Sequence, residues 1–273
     1  MIREITLGQY YPVDSPLHRL DPRVKLVGTF AYIVSLFLFQ SFIGYAIAIA
    51  FLAIMIILSK VPFSYMVKGL KAIFFILLIT ALLNMFLTPG RELTHIGRFT
   101  ITIEGLRTAI FMMLRLAFLV IGSSLMTLTT TPGNLTDGIE KGLGWMKKFK
   151  FPVHEVAMMM SIALSFIPIL LEETNIIMKA QQARGADFES GNIVKRAKAM
   201  VPILVPLFVS AFRRAGDLAM AMEARGYQGG EGRTKLHPLQ YKKNDYIAYI
   251  ILLMYMLVVI VVGRITTSMA FGL

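Results

Sequence analysis

Long apolar stretches alternate with short polar, basic ones along the chain. Residues 26–58 contain no Asp, Glu, Lys or Arg. At about 1.5 Å per residue, one helix over this run would be roughly 50 Å long, against a hydrocarbon core of about 30 Å. The run therefore predicts a hairpin of two membrane helices, turning near Gln40-Ser41 with Gly44 close by. A third span is expected over 72–87, ending at Thr88-Pro89-Gly90. A fourth covers 106–128, ending at the run of threonines before Pro132-Gly133, and the last covers 246–262. The fold class is thus an all-α integral membrane protein with about five transmembrane helices. The division runs 1–25 (N-terminal segment), 26–128 (spans one to four), 129–243 (a long central region) and 244–273 (last span and C-terminus).

The central region has a different period. Ile193, Ala197, Met200, Leu204, Phe208, Ala211, Ala215, Leu218 and Met222 recur at helical spacing. Asn192, after Gly191, is placed as an N-cap. Pro202 and Pro206 should bend this helix without ending it, because the periodicity continues past them. An earlier helix follows Pro152, read as its first residue. It is apolar nearly all round, with a narrow polar stripe of His154, Ser161, Ser165, Glu172, Asn175, Lys179 and Gln182. Residues 135–149 read as a shorter interfacial helix, with Leu135, Ile139, Leu143 and Met146 on one face and Lys147 and Lys148 available to headgroups. The apolar runs 157–171 and 199–212 are short for spans, so both long helices are read as cytoplasmic; a seven-span arrangement would return the chain to the same side. Ala197, Ala211, Ala215 and Gly216 are small enough to let the two long helices cross closely.

Composition sharpens this. The chain is 56% hydrophobic over 273 residues and carries a net charge of +12. In so apolar a chain, the excess of Lys and Arg marks cytoplasmic segments and anionic lipid rather than nucleic acid. Lys141, Lys147, Lys148, Lys150, Lys195, Arg196, Lys198, Arg213, Arg214, Lys242 and Lys243 place the central region in the cytoplasm. Counting back through the spans puts the N-terminal segment (Arg3, Arg19, Arg23, Lys25) and the loop 60–71 on the same side. There is no cysteine, which removes disulfide, thiolate and Cys-metal chemistry. No G-x-x-x-x-G-K-[ST] phosphate loop occurs, so the chain does not bind ATP by that route. His18, His95, His154 and His237 are scattered without metal-ligand spacing. Glu172 and Glu173 are adjacent, and adjacent helical side chains point apart. A membrane-embedded enzyme would need a tighter cluster. A permease with its own substrate path is the other rival, and it predicts solute binding by this chain alone.

Two Ala-Arg-Gly triplets remain: Ala183-Arg184-Gly185 and Ala224-Arg225-Gly226, each closing one of the long helices, their arginines 41 positions apart. One reading is capping: Gly beyond the helix end supplies positive φ and Arg meets the dipole. The other is that Arg184 and Arg225 grip carboxylates of a partner made of two similar subunits, such as a pair of ATPases. Inside the membrane, Arg115 lies mid-way along the fourth span and Asn84 in the third. Arg115 is expected to pair with Glu172 or Glu173 or, alternatively, to serve a substrate site. Arg107 is placed to snorkel to the outer headgroups. Met158, Met159, Met160, Met178, Met200, Met220 and Met222 suit either ordinary packing or an adaptable docking surface.

The stretches PVDSPLHRLDPRVKL (12–26), LTTTPGNLTDGIEKGL (128–143), IPILLEE (167–173), AQQARGADF (180–188) and AMEARGY (221–227) occur in order. In these the chain resembles the transmembrane T component of energy-coupling factor transporters. The resemblance implies an L-shaped scaffold of upright membrane helices and long cytoplasmic coupling helices. It implies that Arg184 and Arg225 each dock in a groove of one of two ABC ATPase subunits, which bind the ATP and Mg, while this chain needs no cofactor. It also implies that Met158, Met200, Leu204, Phe208, Ala211 and Ala215 belong to the face that packs coupling helices or cradles a small substrate-binding S component. ATP hydrolysis would then move the S component to deliver a vitamin or other micronutrient. Whether the component is shared among S components or dedicated to one substrate stays open.

Overall fold

The computed structural model describes residues 10–38, 41–96, 99–149, 151–188, 192–229 and 238–271. Arg3, Gln40, Lys150, Gly191 and His237 lie outside the described residues. So do the side chains of His95, Lys147, Ile193, Lys195, Arg196 and Ala197. The elements are α1 (Pro22–Leu38), α2 (Phe42–Ser59), α3 (Phe63–Leu87), β1 (Glu92–Ile96), β2 (Phe99–Thr102), α4 (Ile103–Thr129), α5 (Pro132–Gly142), a 3-10 helix (Leu143–Phe149), α6 (Val153–Ala183), α7 (Ile193–Ala224) and α8 (Lys243–Phe271). They fall into two compact units. The first takes in Gly8–Gly138 and Leu239–Leu273, the second Ile139–Pro238.

The first unit gathers α1 to α4 and α8, the helices read as spans. α1 and α2 are separate helices, so the 26–58 run does break in the middle. Ser41 caps α2, its hydroxyl accepting the Gly44 N–H at 3.3 Å. α2 ends on Lys60, which adopts a left-handed conformation. α3 begins at Phe63 rather than near residue 72, because Pro62 starts a helix whose first turns carry Lys68 and Lys71. The helix bends by 61° between Phe63–Lys71 and Ile73–Leu87, so only its second part has the composition first read as a span. Between α3 and α4 the all-α expectation meets a small exception. The β-branched run Thr100-Ile101-Thr102 pairs antiparallel with Glu92–Ile96. Thr102 then ties the two helices together. Its hydroxyl donates to the Thr88 carbonyl at 2.8 Å and accepts the Gly105 N–H at 3.0 Å.

Aromatic and aliphatic side chains close the unit: Tyr32, Leu36, Tyr45, Leu52, Met66, Phe111, Leu125, Tyr255 and Val259 form one buried cluster. Phe30, Ile57, Phe75, Ile250 and many similar residues remain exposed, as expected where lipid is the solvent. The protein is a multi-pass membrane protein. α2, α4 and α8 are long and apolar enough to cross a bilayer, and so is the bent α3 taken as one span. α6 and α7 also meet that length and composition test. α8 exceeds its expected span at both ends.

The segment 12–26 knits the helix ends of this unit. Asp21 accepts the Arg23 backbone N–H at 2.9 Å and binds its guanidinium with both carboxylate oxygens. Asp245, buried in the first turn of α8, accepts the Asp21 N–H at 2.8 Å and the Lys242 N–H at 2.7 Å. The Arg23 guanidinium lies 3.8 Å from the centre of the Tyr241 ring. Lys25, also buried, donates to the carbonyls of His18 (3.1 Å) and Thr129 (2.8 Å). Each buried charge is thus met by an opposite charge or by backbone groups, as burial requires.

Candidate coupling site

The second unit is built on α6 and α7, two helices of 31 and 32 residues. Pro168 lies inside α6, and Pro202 and Pro206 inside α7, and neither helix stops there. Pro152 stands at the N-cap of α6, one position before the helix. Asn192 occupies the N-cap of α7 in extended conformation, but its side chain makes no capping bond. The segment 135–149 divides into the end of α5 and the 3-10 helix, so its apolar residues do not share one α-helical face. Trp145 and Phe149 project outward and pack edge to face at 5.9 Å.

The two Ala-Arg-Gly triplets end their helices by the same bonds. At α6, Gly185 N–H donates to the Gln182 carbonyl (2.9 Å) and Ala186 N–H to Gln181 (3.0 Å). At α7, Gly226 N–H donates to Glu223 (2.8 Å) and Tyr227 N–H to Met222 (3.0 Å). This is the Schellman closure, which needs a left-handed residue just past the end. Gly185 (φ +88°) and Gly226 (φ +68°) supply it. Arg184 and Arg225 occupy the C-cap position in nearly the same conformation, φ −86° and ψ 4° against φ −89° and ψ 8°. Both side chains are exposed, and neither has an ion-pair or hydrogen-bond partner among the described residues. The helix ends are satisfied by backbone groups, so the guanidinium groups are not consumed in capping.

A feature that sequence reasoning missed joins the two helices. Arg214 donates to the Glu173 carboxylate at 3.1 Å. Ser210 also hydrogen-bonds Glu173. Glu173 stands eleven residues before Arg184, and Arg214 eleven residues before Arg225. Both arginines therefore end arms of equal length, about 16 Å beyond this contact. The opposite charges at 173 and 214 were visible in the sequence, but nothing there aligned them across two helices.

The apolar stripe read from periodicity packs only in part: Ala211, Leu218 and Met222 are half-buried, while Met200, Leu204 and Phe208 face outward. Ile203 is buried, and Leu207, Ser210, Arg214, Leu218 and Met222 are half-buried. Met200, Leu204 and Phe208 lie one position around the helix and are 49–60% exposed. Ala211 and Met158 are half-buried, and Ala215 is exposed. The expected close crossing through small residues fails at Ala215 and at Gly216, where an added Cβ would meet nothing within 4 Å. The polar contact of Glu173 with Ser210 and Arg214 joins the helices instead. The stripe Met200-Leu204-Phe208 therefore faces outward, with Val201, Val205, Val209 and Phe212 beside it. An apolar surface of that extent calls for lipid or a protein partner.

The intramembrane polar residues find neighbours in the first unit. Arg115 donates from Nε to the Tyr45 hydroxyl at 3.2 Å and lies 5.2 Å from the Phe37 ring centre. Arg115 and its expected partners Glu172 and Glu173 belong to different units, and Glu173 is engaged by Arg214. Asn84 donates to the Thr80 carbonyl one turn back at 2.8 Å. Arg107 sits 5.4 Å from the Phe111 ring centre.

A family model described as cobalt transport protein (CbiQ) matches residues 14–236. Curated relatives named energy-coupling factor transporter transmembrane protein EcfT are similar over nearly the whole chain. That of Clostridium kluyveri is 57% identical, over 91% of this chain and 93% of its own. That of Thermosediminibacter oceani is 53% identical, over 91% and 94%. That of Bacillus subtilis is 51% identical, over 90% and 93%.

Proposed function

The chain belongs to the CbiQ family, the transmembrane components of energy-coupling factor transporters, and from that premise we infer that it couples ATP hydrolysis by two ATPase subunits to movement of a substrate-binding S component. The observation that carries this reading is the pair of identical helix ends. Two exposed arginines sit at the same cap position, on arms of equal length, with no partner of their own among the described residues. A partner of two similar subunits, each offering a carboxylate-lined groove, matches that duplication. ATP and Mg belong to those subunits, and the chain itself contributes no cofactor and no catalysis.

In this reading the Schellman closures hold each arginine rigidly to its helix, so a displacement of either ATPase moves the helix rather than a loose tip. The outward stripe Met200-Leu204-Phe208, with Ala211 and Ala215 at its edge and Met158 on α6, offers the S component an apolar seat. Exposed Met159 and Met160 on α6 add side chains that re-pack easily, which suits more than one S component. The basic residues of the central region and N-terminal segment support a cytoplasmic location for both.

Vitamin or other micronutrient uptake through a shared set of S components is the substrate reading preferred. The description of the matching family as cobalt transport favours, as the second reading, a component dedicated to one metal ion. Purification of the tagged chain from its native membrane in mild detergent separates them. Recovery of two ATPases with several different small membrane proteins supports the shared component. Recovery with one membrane protein only supports the dedicated one, and recovery of no ATPase refutes the coupling role. Solute binding by the chain alone in calorimetry would favour a permease instead.

A further inference from the structure

Within the first unit, α1, α2, α4 and α8 enclose a cavity of about 290 Å³. That is about twice the ~150 Å³ that lodges a benzene ring in a dry protein core. Its deep wall is made by Tyr32, Leu52 and Leu125, each no more than 7% exposed. Its outer wall is made by Leu58, Ile247 and Ile251, which are 41–54% exposed. The cavity therefore opens sideways, through the surface that these helices turn to lipid.

Its depth is also defined. Lys25, Leu58, Thr129 and Asn244 line one end. These are the first turn of α1, the last turn of α2, the last residue of α4 and the first turn of α8. All four belong to the level at which helices leave the membrane. Tyr32 lies seven residues further along α1, about 10 Å deeper. The polar end thus sits at headgroup level and the apolar end at the level of the upper acyl chain.

Two features mark it as a site rather than a packing fault. Gly28 lines the cavity, and a Cβ built there meets nothing within 4 Å. The Tyr32 ring, fixed against Gly122 and Phe51, forms its deep wall. The Lys25 ammonium uses two of its three N–H groups on the carbonyls of His18 and Thr129.

We propose that this cavity binds one acyl chain of a phospholipid from the leaflet at which α1 and α8 begin, with the phosphate on the side of Lys25 and Asn244. The medium at the mouth is that leaflet, so its lipids are the ligands present at highest concentration. The bound chain fills the space between α1, α2, α4 and α8 and makes this part of the unit a joint structure of protein and lipid.

The test uses the whole chain in vesicles of diester phosphatidylglycerol and phosphatidylethanolamine carrying a diazirine on one acyl chain. Any lipid-facing residue will be labelled, Phe30 and Ile57 included. Labelling of Tyr32 or Leu125, which the bulk bilayer does not reach, is the expected result, reduced at least fivefold in Gly28→Leu. Labelling confined to exposed residues would overturn the proposal, as would undiminished labelling of Tyr32 in Gly28→Leu. Native mass spectrometry in mild detergent covers the case in which Gly28→Leu does not fold. Wild-type chain should retain bound phospholipid, and Ala248→Leu, which narrows the cavity from α8, should retain severalfold less. Equal retention by the wild type and Ala248→Leu, or no retained lipid, would refute the site as described.

Discussion

Removing the charge of both arginines, Arg184→Gln and Arg225→Gln, separates capping from coupling. The backbone bonds of Gly185, Ala186, Gly226 and Tyr227 close the helices without either side chain. What the change takes from the fold is the interaction of a cation with each helix C-terminus, about 0.3–1 kcal/mol at an exposed site. Two ends together lower Tm by about 1–8 °C, at about 2–4 °C per kcal/mol for a chain of this size. What it takes from a docked complex is larger. A hydrogen bond to a charged group contributes about 1.5–3 kcal/mol, or roughly 10- to 150-fold in affinity for each arginine.

The assay immobilises the chain in nanodiscs and measures capture of the purified ATPase pair, alongside thermal unfolding. Because the two ends share conformation and exposure, the single variants should lose capture to a similar extent, and the double variant should lose both capture and uptake in proteoliposomes. A double variant that binds the ATPase pair within twofold of wild type, and transports normally, would leave only the capping role.

Gly185→Ala and Gly226→Ala meet no neighbour within 4 Å, so their cost is conformational alone. Each should lose about 1–2 kcal/mol from its helix end, seen as faster hydrogen exchange in the last turn and weaker ATPase capture with Arg184 and Arg225 intact. Asp245→Ala strands the buried N–H of Asp21 and frees the part-buried N–H of Lys242. At about 1–3 kcal/mol for the buried donor, it should lower Tm in detergent far more than the exposed Asp14→Ala. His18 supplies a pH dependence. Its Nε2–H donates to the Tyr11 carbonyl at 3.0 Å and its Nδ1 faces the Ser15 hydroxyl at 2.6 Å. Burial, aided by the Lys25 charge, holds its pKa below the usual value. Above the unfolded value near 6.5 the neutral ring stabilises the fold, and that stability is lost as pH falls through the lower folded value. Between pH 7 and pH 5 the wild type should therefore lose more stability than His18→Asn, measured by unfolding in detergent; parallel curves would refute the assignment.

The membrane helices were legible because lipid imposes one rule, an apolar run of fixed length, on every residue. The Gly-terminated ends of α6 and α7 were legible for a similar reason: Gly adopts the left-handed φ that the closure needs without steric cost. What periodicity left undetermined was rotation. Met200, Leu204 and Phe208 fit an inward face as well as Ile203 and Leu207 do, since α7 is apolar over more than one stripe. The contact that fixes the choice, Glu173 with Ser210 and Arg214, is long-range and polar. For the same reason Arg115 could not be given its neighbour from sequence, because Tyr45 and Phe37 are apolar-looking positions on other helices. The bend in α3 and the β1–β2 hairpin were missed where charged residues and short β-branched runs interrupt the helical pattern.

The equal arms carry a consequence of their own. If the two arginines engage two ATPase subunits at once, the distance from the Glu173–Arg214 contact to each tip is a functional dimension and not an accident of helix length. Four alanines inserted after Gly216, an exposed position with open space around it, lengthen the α7 arm by about 6 Å and turn its tip by about 40°. The insertion leaves the Arg225-Gly226 closure and the Glu173 contact intact but shifts the half-buried Leu218 and Met222, so thermal unfolding is measured beside capture and Leu218→Ala with Met222→Ala serves as the packing control. Arg225 can then no longer reach its groove while Arg184 stays in place. Capture of the ATPase pair should fall to the level of Arg225→Gln, and uptake with it. The same four residues placed directly after Pro238, outside both arms and ahead of the Tyr241 and Lys242 contacts, should leave capture unchanged. Wild-type capture by the arm insertion would mean that the tip is docked through a flexible link, and rigid two-point engagement would have to be abandoned.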